Sequence, residues 1–488
     1  MECQKTANPA DEDRSTLRRW RALYVMCLGV LMMTLDTTIV NVALPAIRTD
    51  LQFSPASIAW VVNAYILTFA GFLLLGGRLG DLIGHRKLFV TGIVLFTVAS
   101  LACGLAPTQT WLVVARAGQG LGGAVVAAVS LSLVMNLFPE PGERAKAMGF
   151  YSFVCAGGGS LGVLLGGVLT SSLGWRSIFL VNIPIGIAVV LFSTRLLSEN
   201  RVRGRNTRPD IAGAVTITTA LILLDYAIIS SADTSSPPRL PLVLFLAAAV
   251  LIAVFLRIQS KTAAPLVPLS VFRLRNFTVA NLATVLWASA IFAWFSITAV
   301  YLQTVQGYDT LQVAIAFLPP NLVMAAFSLG LSARLIARFG LKIPMFTGLA
   351  ITGVGLGLLA IAPVGDNFML YLVPAMALYG IGSGIGYNPL VLAALQDVDP
   401  AESGLASGVV NTSFLIGGGL GLAALASLAA SRAHNLMGEG VSDATALTSG
   451  YQMSFLLGAA CALIAAVMTS ALLSKSTVSS TNAAENSA

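Results

Sequence analysis

Fourteen stretches of about twenty apolar residues follow one another along the chain. Each is long enough to cross the hydrocarbon core of a bilayer as an α-helix. They run near 22–46, 58–79, 88–106, 111–138, 147–169, 177–197, 211–229, 240–256, 277–302, 311–331, 343–362, 368–395, 405–430 and 451–473. Composition agrees: 56% of the 488 residues are hydrophobic and only 10% are charged, against roughly a quarter charged in a soluble domain. Lipid is the solvent that suits such a chain. An all-α integral membrane protein is therefore expected, with its eighth crossing the shortest. The formal net charge of +7 is read by its placement along the chain, not as a sign of nucleic-acid binding.

Placement of the cations sets the orientation. With the N-terminus inside, the cytoplasmic face receives Arg14, Arg18, Arg19, Arg21, Arg86, Lys87, Arg144, Lys146, Arg201, Arg203, Arg205 and Arg208. It also receives Lys261, Arg273, Arg275, Arg338, Lys342 and Lys475. The outer face receives Arg48, Arg176, Arg239 and Arg432. Cytoplasmic loops are enriched in Lys and Arg, so both termini are expected inside and the alternation supports every crossing. The first stretch follows Arg18-Arg19-Trp20-Arg21 and has the length of a full span, so it reads as a crossing rather than a signal peptide.

The chain also repeats itself. Gly118, Gly120 and Gly122 in the fourth span are echoed by Gly380, Gly382 and Gly384 in the twelfth. Glu143 to Gly149 is echoed by Glu402 to Gly408, and Asp81 to Gly84 by Ala337 to Gly340. Two six-helix halves with two inserted helices follow from this. Their expected limits are 1–21 for a cytoplasmic N-terminal segment, 22–200 for the first half, 201–260 for the insert, 261–473 for the second half and 474–488 for a disordered cytoplasmic tail. Two such halves suit alternating access, one rocking against the other. Gly158, Gly162 and Gly166 in the fifth span fall on one helical face and let a neighbouring backbone approach.

Several chemistries are missing from the sequence. The five cysteines, Cys3, Cys27, Cys103, Cys155 and Cys461, are far apart, and the histidines are only His85 and His434. No metal, cofactor or disulfide framework is expected from that set. No nucleophile–base constellation points to an enzyme. No GxxxxGK[ST] phosphate cradle occurs, so any transport is facilitative or driven by an ion gradient. A proton carrier must then titrate inside the membrane, where burial disfavours the charged form of a carboxylate. Asp36 and Asp225 are the acids well within spans. Intramembrane charges are expensive and functional by default, which makes Asp36 the first candidate for a proton or cation site. The competing reading is a structural carboxylate capped by Thr37 or Asn41. Asp225, on the first inserted helix, serves coupling or peripheral anchoring equally well. The walls of a substrate cavity are assigned to Thr37, Asn41, Gln119, Trp287 and Trp294, although a single aromatic in a span is more often packing. Aromatic walls with few charges suit flat lipophilic molecules, and an acid adds attraction for cations.

Several segments resemble a known family. Leu35-Asp36-Thr37-Thr38-Ile39-Val40-Asn41-Val42-Ala43-Leu44-Pro45 resembles the opening motif of the fourteen-helix drug:proton antiporters of the major facilitator superfamily. Gly77-Arg78-Leu79-Gly80-Asp81-Leu82-Ile83-Gly84-His85-Arg86-Lys87 resembles the superfamily's loop between helices 2 and 3. Arg116-Ala117-Gly118-Gln119-Gly120-Leu121-Gly122 resembles its helix 4 motif, and Trp175-Arg176 through Asn182-Ile183-Pro184-Ile185-Gly186 is also typical. The resemblance implies a major facilitator fold of fourteen transmembrane helices and proton-coupled export of amphipathic, lipophilic or cationic drugs or antibiotics by a plasma-membrane monomer. Its partners would be a small-molecule substrate, protons and the bilayer. It places Arg116 in a proton relay beside an aspartate, rather than snorkelling to an interface. It makes Gly77, Asp81, Gly84 and Arg86 a conformational latch, the aspartate binding the positive end of a facing helix. The chain departs from the pattern at Leu82, where the family has arginine, and at Gly162-Val163, where its helix 5 motif has Gly-Pro. Export of an endogenous metabolite or lipid, and a non-transporting sensor or scaffold, are the alternative functions.

Overall fold

The computed structural model describes residues 9–54, 57–197, 210–232, 237, 239–262, 265–308, 310–363, 368–399 and 402–473. The basic run Arg201, Arg203, Arg205 and Arg208, and Lys475 with the tail after it, lie outside these residues. Among the described residues all regular structure is helical. Thirteen helices are long and apolar enough to cross a membrane, and a bent pair, Pro141–Gly159 and Leu164–Leu173, makes a fourteenth.

The helices follow one another as α1 (Pro9–Asp50), α2 (Trp60–Ile83), α3 (His85–Gly104), α4 (Gln109–Leu137), α5 (Pro141–Leu173), α6 (Ser177–Leu180), α7 (Asn182–Leu196), α8 (Ile211–Ala232) and α9 (Leu240–Lys261). Then come α10 (Arg275–Thr304), α11 (Thr310–Phe327), a π-helical turn at Ser328–Ser332, α12 (Ala333–Phe339), α13 (Lys342–Ala360), α14 (Phe368–Leu395), α15 (Ser403–Gly438) and α16 (Asp443–Leu472). Two further sequence spans are interrupted. The sixth breaks at Val181 between α6 and α7, just before Pro184, which has no N–H for the preceding turn. The tenth passes through the π-helical turn. The eighth crossing, α9, reaches 22 residues because polar Arg257, Gln259 and Lys261 continue the helix beyond its apolar run.

Sequence chemistry explains the corners. Gly84, at φ 106°, turns the chain from α2 straight into α3, and its N–H still reaches the Gly80 carbonyl. A side chain would be strained there. Thr108 caps α4 by accepting the Trp111 N–H, and Pro141 opens α5 at a position that needs no donor.

The chain divides into two compact units: residues 1–147, 157–266 and 400–411 form one, and 148–156, 267–399 and 412–488 the other. In the first unit α4 packs on α2 and α3, α1 and α3 pack on α7, and α8 packs on α2 and α9. In the second, α13 packs on α14 and α16, α10 on α16, and α11 on α14. Outward-facing side chains such as Val98, Val114 and Val250 are about three-fifths exposed, as lipid-facing residues should be.

Glycines carry the closest approaches, in the same way in both units. A methyl group built on Gly162 of α5 would overlap the Thr38 hydroxyl and lie 2.8 Å from the Leu35 carbonyl of α1. Gly158 meets Leu31 and Thr34, and Gly166 meets Ile39. In the second unit Gly417 and Gly421 of α15 press on Val285 and Ser289 of α10 at the same spacing. Gly120 and Gly122 bring α4 against α2 and α3, and Gly380 and Gly382 bring α14 against α11 and α13. The structural partner of Gly120 is thus Gly380, which shifts the pairing of the two glycine triplets by two residues from the sequence match.

Candidate functional site

Asp36 projects from the middle of α1 into the first unit, away from α5, and is fully buried. Arg116 reaches it from α4: Nη1 donates to Asp36 Oδ2 at 2.5 Å and to Gln119 Oε1 at 2.7 Å, while Nε donates to the Val61 carbonyl at 2.9 Å. Helical spacing puts Gln119 beside Arg116, and its Nε2 donates to Asp36 Oδ1 at 2.7 Å. The Asn182 side chain of α7 donates to the same oxygen at 3.2 Å and to Ser100 Oγ of α3 at 2.9 Å. Ser100 in turn donates to the Phe179 carbonyl at 2.9 Å, next to the interruption of the sixth span. Arg116, Gln119, Ser100 and Asn182 are each at most 1% exposed.

Three donors converge on the two oxygens of Asp36, the hydrogen-bond complement of a carboxylate. The Tyr65 ring lies under the guanidinium at 4.5 Å from its carbon, adding a cation–π contact. The Cys103 thiol donates to Gln119 Oε1. An apolar cluster including Ile39, Ala43, Val61, Leu112, Trp175 and Phe179 packs around one end of this network. Beyond it Asp50 binds the Arg176 guanidinium at 2.7 Å and the Trp175 indole at 3.0 Å. A charge pair taken out of water survives only when its remaining donors and acceptors are satisfied. Here Arg116 and Asp36 satisfy one another and share Gln119.

The sequence candidates separate. Thr37 and Asn41 do not cap Asp36: both are exposed and bond the carbonyls of Thr34 and Thr37 on the other side of α1. Gln119 sits in the buried network, not on an open wall. Arg116 is buried, not snorkelling. Asp225 lies on α8, partly exposed, with its Oδ2 buried and without a partner among the described residues. Ser100 and Asn182 were not singled out as site residues, because neutral polar side chains in an apolar span carry no signal as strong as a charge. The break at Val181 was likewise silent in hydropathy.

The loop motif gives a second site in the same unit. Asp81 accepts the backbone N–H groups of Gly404 and Leu405, both at 2.8 Å, at the start of α15. His85 Nε2 lies 3.2 Å from its Oδ1. Gly77 lies against the Gly404 backbone, where a Cβ would not fit. Arg86 does not join Asp81: it donates to the Thr194 carbonyl at the end of α7 at 2.5 Å, where a cation complements the helix dipole.

In the second unit Trp287 is stacked on Tyr387 at 5.3 Å and flanked by Phe414, its indole N–H buried and unpartnered among the described residues. Trp294 is 1% exposed, stacked on Tyr379 at 4.0 Å with Phe295 and Phe317 at its edges. That is the environment of a packing residue. No group of three or more His, Cys, Asp or Glu that could hold a metal occurs among the described residues.

Residues 26–422 match the model of the Major Facilitator Superfamily. The chain is 36% identical over 456 residues to the cephamycin export protein CmcT of Amycolatopsis lactamdurans, covering 92% of both chains. It is 35% identical over 470 residues to the puromycin resistance protein pur8 of Streptomyces alboniger, covering 94% of this chain and 92% of that one. Among solved structures, the human organic anion transporter MFSD10 superposes with a TM-score of 0.63 at 16% identity, over 92% of this chain and 99% of that one.

Proposed function

Because the chain belongs to the major facilitator superfamily and is a multi-pass membrane transporter of that fold, we propose that it exports amphipathic, lipophilic or cationic drugs or antibiotics across the plasma membrane in exchange for protons. The observation that carries the reading is the Asp36–Arg116 pair, an ion pair at most 1% exposed within the spans of the first unit, where charges are expensive and functional by default. The names of the relatives, a cephamycin exporter and a puromycin resistance protein, support the substrate class.

In this reading the two halves (22–200 and 261–473) alternate access about a central path, with both termini cytoplasmic and the monomer as the working unit. A proton reaching Asp36 removes half of a buried ion pair. Arg116 keeps its bonds to Gln119 and the Val61 carbonyl, and its bond to Asp36 Oδ2 loses the attraction of the carboxylate charge. Loss of the proton restores the pair. Substrate favours the deprotonated state, so its entry and proton release are linked. Gln119 binds both Arg116 and Asp36 and holds the pair in register. Thr37 and Asn41 line the exposed side of α1, and Trp287 with Tyr387 and Phe414 supplies an aromatic wall in the second half. Trp294 packs in a separate aromatic cluster of the same half, with Tyr379, Phe295 and Phe317. Asp225, on the inserted helix α8, is assigned a peripheral role in proton access. Asp81 with Gly77 and Gly84 forms the latch, a charge on the N-terminus of α15 worth about 0.3–1 kcal/mol, while Arg86 fastens α7 beside it.

Everted vesicles test the proposal. Adding a cationic dye that is a substrate should release protons from energised vesicles, and Asp36→Asn should abolish that release. Dye-driven proton release that survives Asp36→Asn would remove the mechanism.

A further inference from the structure

The buried network is complete for an ionised Asp36 and incomplete for a protonated one. Gln119 Nε2, Asn182 Nδ2 and Arg116 Nη1 all donate to it. A protonated Asp36 would carry a hydroxyl that needs an acceptor, and every group facing its oxygens is a donor. Of those donors, Arg116 has no acceptor atom. The Gln119 amide is fixed in its orientation, because its Oε1 accepts from Arg116 at 2.7 Å and from Cys103. Asn182 differs. Its Nδ2 makes both of its hydrogen bonds, to Asp36 and to Ser100, and its Oδ1 accepts none among the described residues.

We propose that Asn182 is an amide switch that lets Asp36 take up a proton without leaving the network. Turning the amide half a revolution puts Oδ1 where Nδ2 stood, facing Asp36 Oδ1 and Ser100 Oγ. The proton delivered to Asp36 Oδ1 is then held in a hydrogen bond to Asn182 Oδ1. Ser100 turns its hydroxyl from the Phe179 carbonyl to the same oxygen, a rotation that a serine makes freely. Gln119 continues to donate to Asp36, and Arg116 keeps Oδ2. The amide therefore has two settings, one for each protonation state, and it stands at the start of α7 beside the interruption at Val181. Switching it changes what binds the Phe179 carbonyl, and so links the proton to the alignment of α6 with α7. The charged and titratable groups facing Asp36 are Arg116 from α4, with Tyr65 of α2 over the guanidinium and Cys103 of α3 behind Gln119. From α7 only the neutral Asn182 reaches it. Asn182 is a positioning residue: it acts through Asp36.

This inference rests on Asp36 being the proton carrier. Infrared difference spectra of the reconstituted full-length protein, recorded on acidification, separate the two claims. The carboxylic-acid band of Asp36, identified by its loss in Asp36→Asn, should be accompanied by a side-chain amide band that moves when asparagine is isotopically labelled. Asn182→Leu should abolish the amide band, shift the carboxylic-acid band and slow substrate-driven proton release about tenfold or more, the worth of one hydrogen bond to a charged group. Asn182→Gln, which keeps an amide, should retain the amide band. The isotope arm needs no variant and so stands even where Asn182→Leu folds poorly. An Asp36 band with no asparagine response, or one unshifted in a folded Asn182→Leu, overturns the switch and leaves proton coupling standing. The absence of any Asp36-dependent band overturns both.

Discussion

At the scale of single residues, the account turns on geometry more than on charge. Arg116 makes three directed contacts from one guanidinium, to Asp36, Gln119 and the Val61 carbonyl. Lysine is a point charge without that fork, so Arg116→Lys should fail to restore transport. Arg116→Ala, which leaves Asp36 buried alone, should cost about 3–5 kcal/mol of stability, seen as a lower melting temperature in detergent. Preserved transport in Arg116→Lys would show that charge alone suffices. Asp36 and Arg116 were legible in the sequence because ionisable residues within apolar spans are rare. Ser100 and Asn182 were not, because a serine or asparagine in a span is common and its role depends on what packs beside it. The assignment of Arg86 to the latch follows from the loop motif it shares with Asp81. In the fold a one-residue turn at Gly84 points the two side chains to different neighbours.

At the scale of helices, close packing by glycine decides which surfaces can move. In the α1–α5 contact Gly162 and Gly166 lie against the α1 backbone at Leu35 and Ile39, and Gly158 lies against the Leu31 and Thr34 side chains. Gly162→Ala should destabilise by about 1–3 kcal/mol through overpacking and slow transport. Gly167→Ala, whose added methyl would meet nothing within 4 Å, should do neither. Thermal unfolding and dye efflux of the pair check this, and equal effects at both positions would contradict it. The latch belongs to the same scale. Asp81→Asn keeps the shape and loses the charge that meets the α15 N-terminus. It should lower the maximal rate of transport several-fold with little change in the substrate concentration at half-maximal rate. The discontinuities were the least legible features. A break at Val181 and a π-turn at Ser328–Ser332 leave the hydropathy of a span untouched, since apolar residues continue through both.

At the scale of the molecule, the two units share a packing scheme and differ in content. The α1–α5 and α10–α15 contacts repeat with the same glycine spacing, as do those of α4 and α14 with their neighbours. Where α1 carries Asp36, the repeat of the contacts brings Ala290 in α10. Where α4 carries Gln119, it brings Tyr379 in α14, which stacks on Trp294. One unit keeps a buried charge network and the other replaces it with aromatic packing. In the proposed reading, proton chemistry then belongs to the first half, and the second half supplies the aromatic wall. Trp287→Ala should accordingly weaken the apparent affinity for flat cationic substrates while leaving the response to protons in place. Combined with Asp36→Asn it should add little to the loss of proton-driven flux, because a carrier already uncoupled has no such flux left to lose. The most direct test of the whole account is the count of protons released when substrate binds to the purified transporter in weakly buffered detergent. The account predicts release in the wild type and none in Asp36→Asn, with substrate still bound. Equal release from both proteins would contradict it.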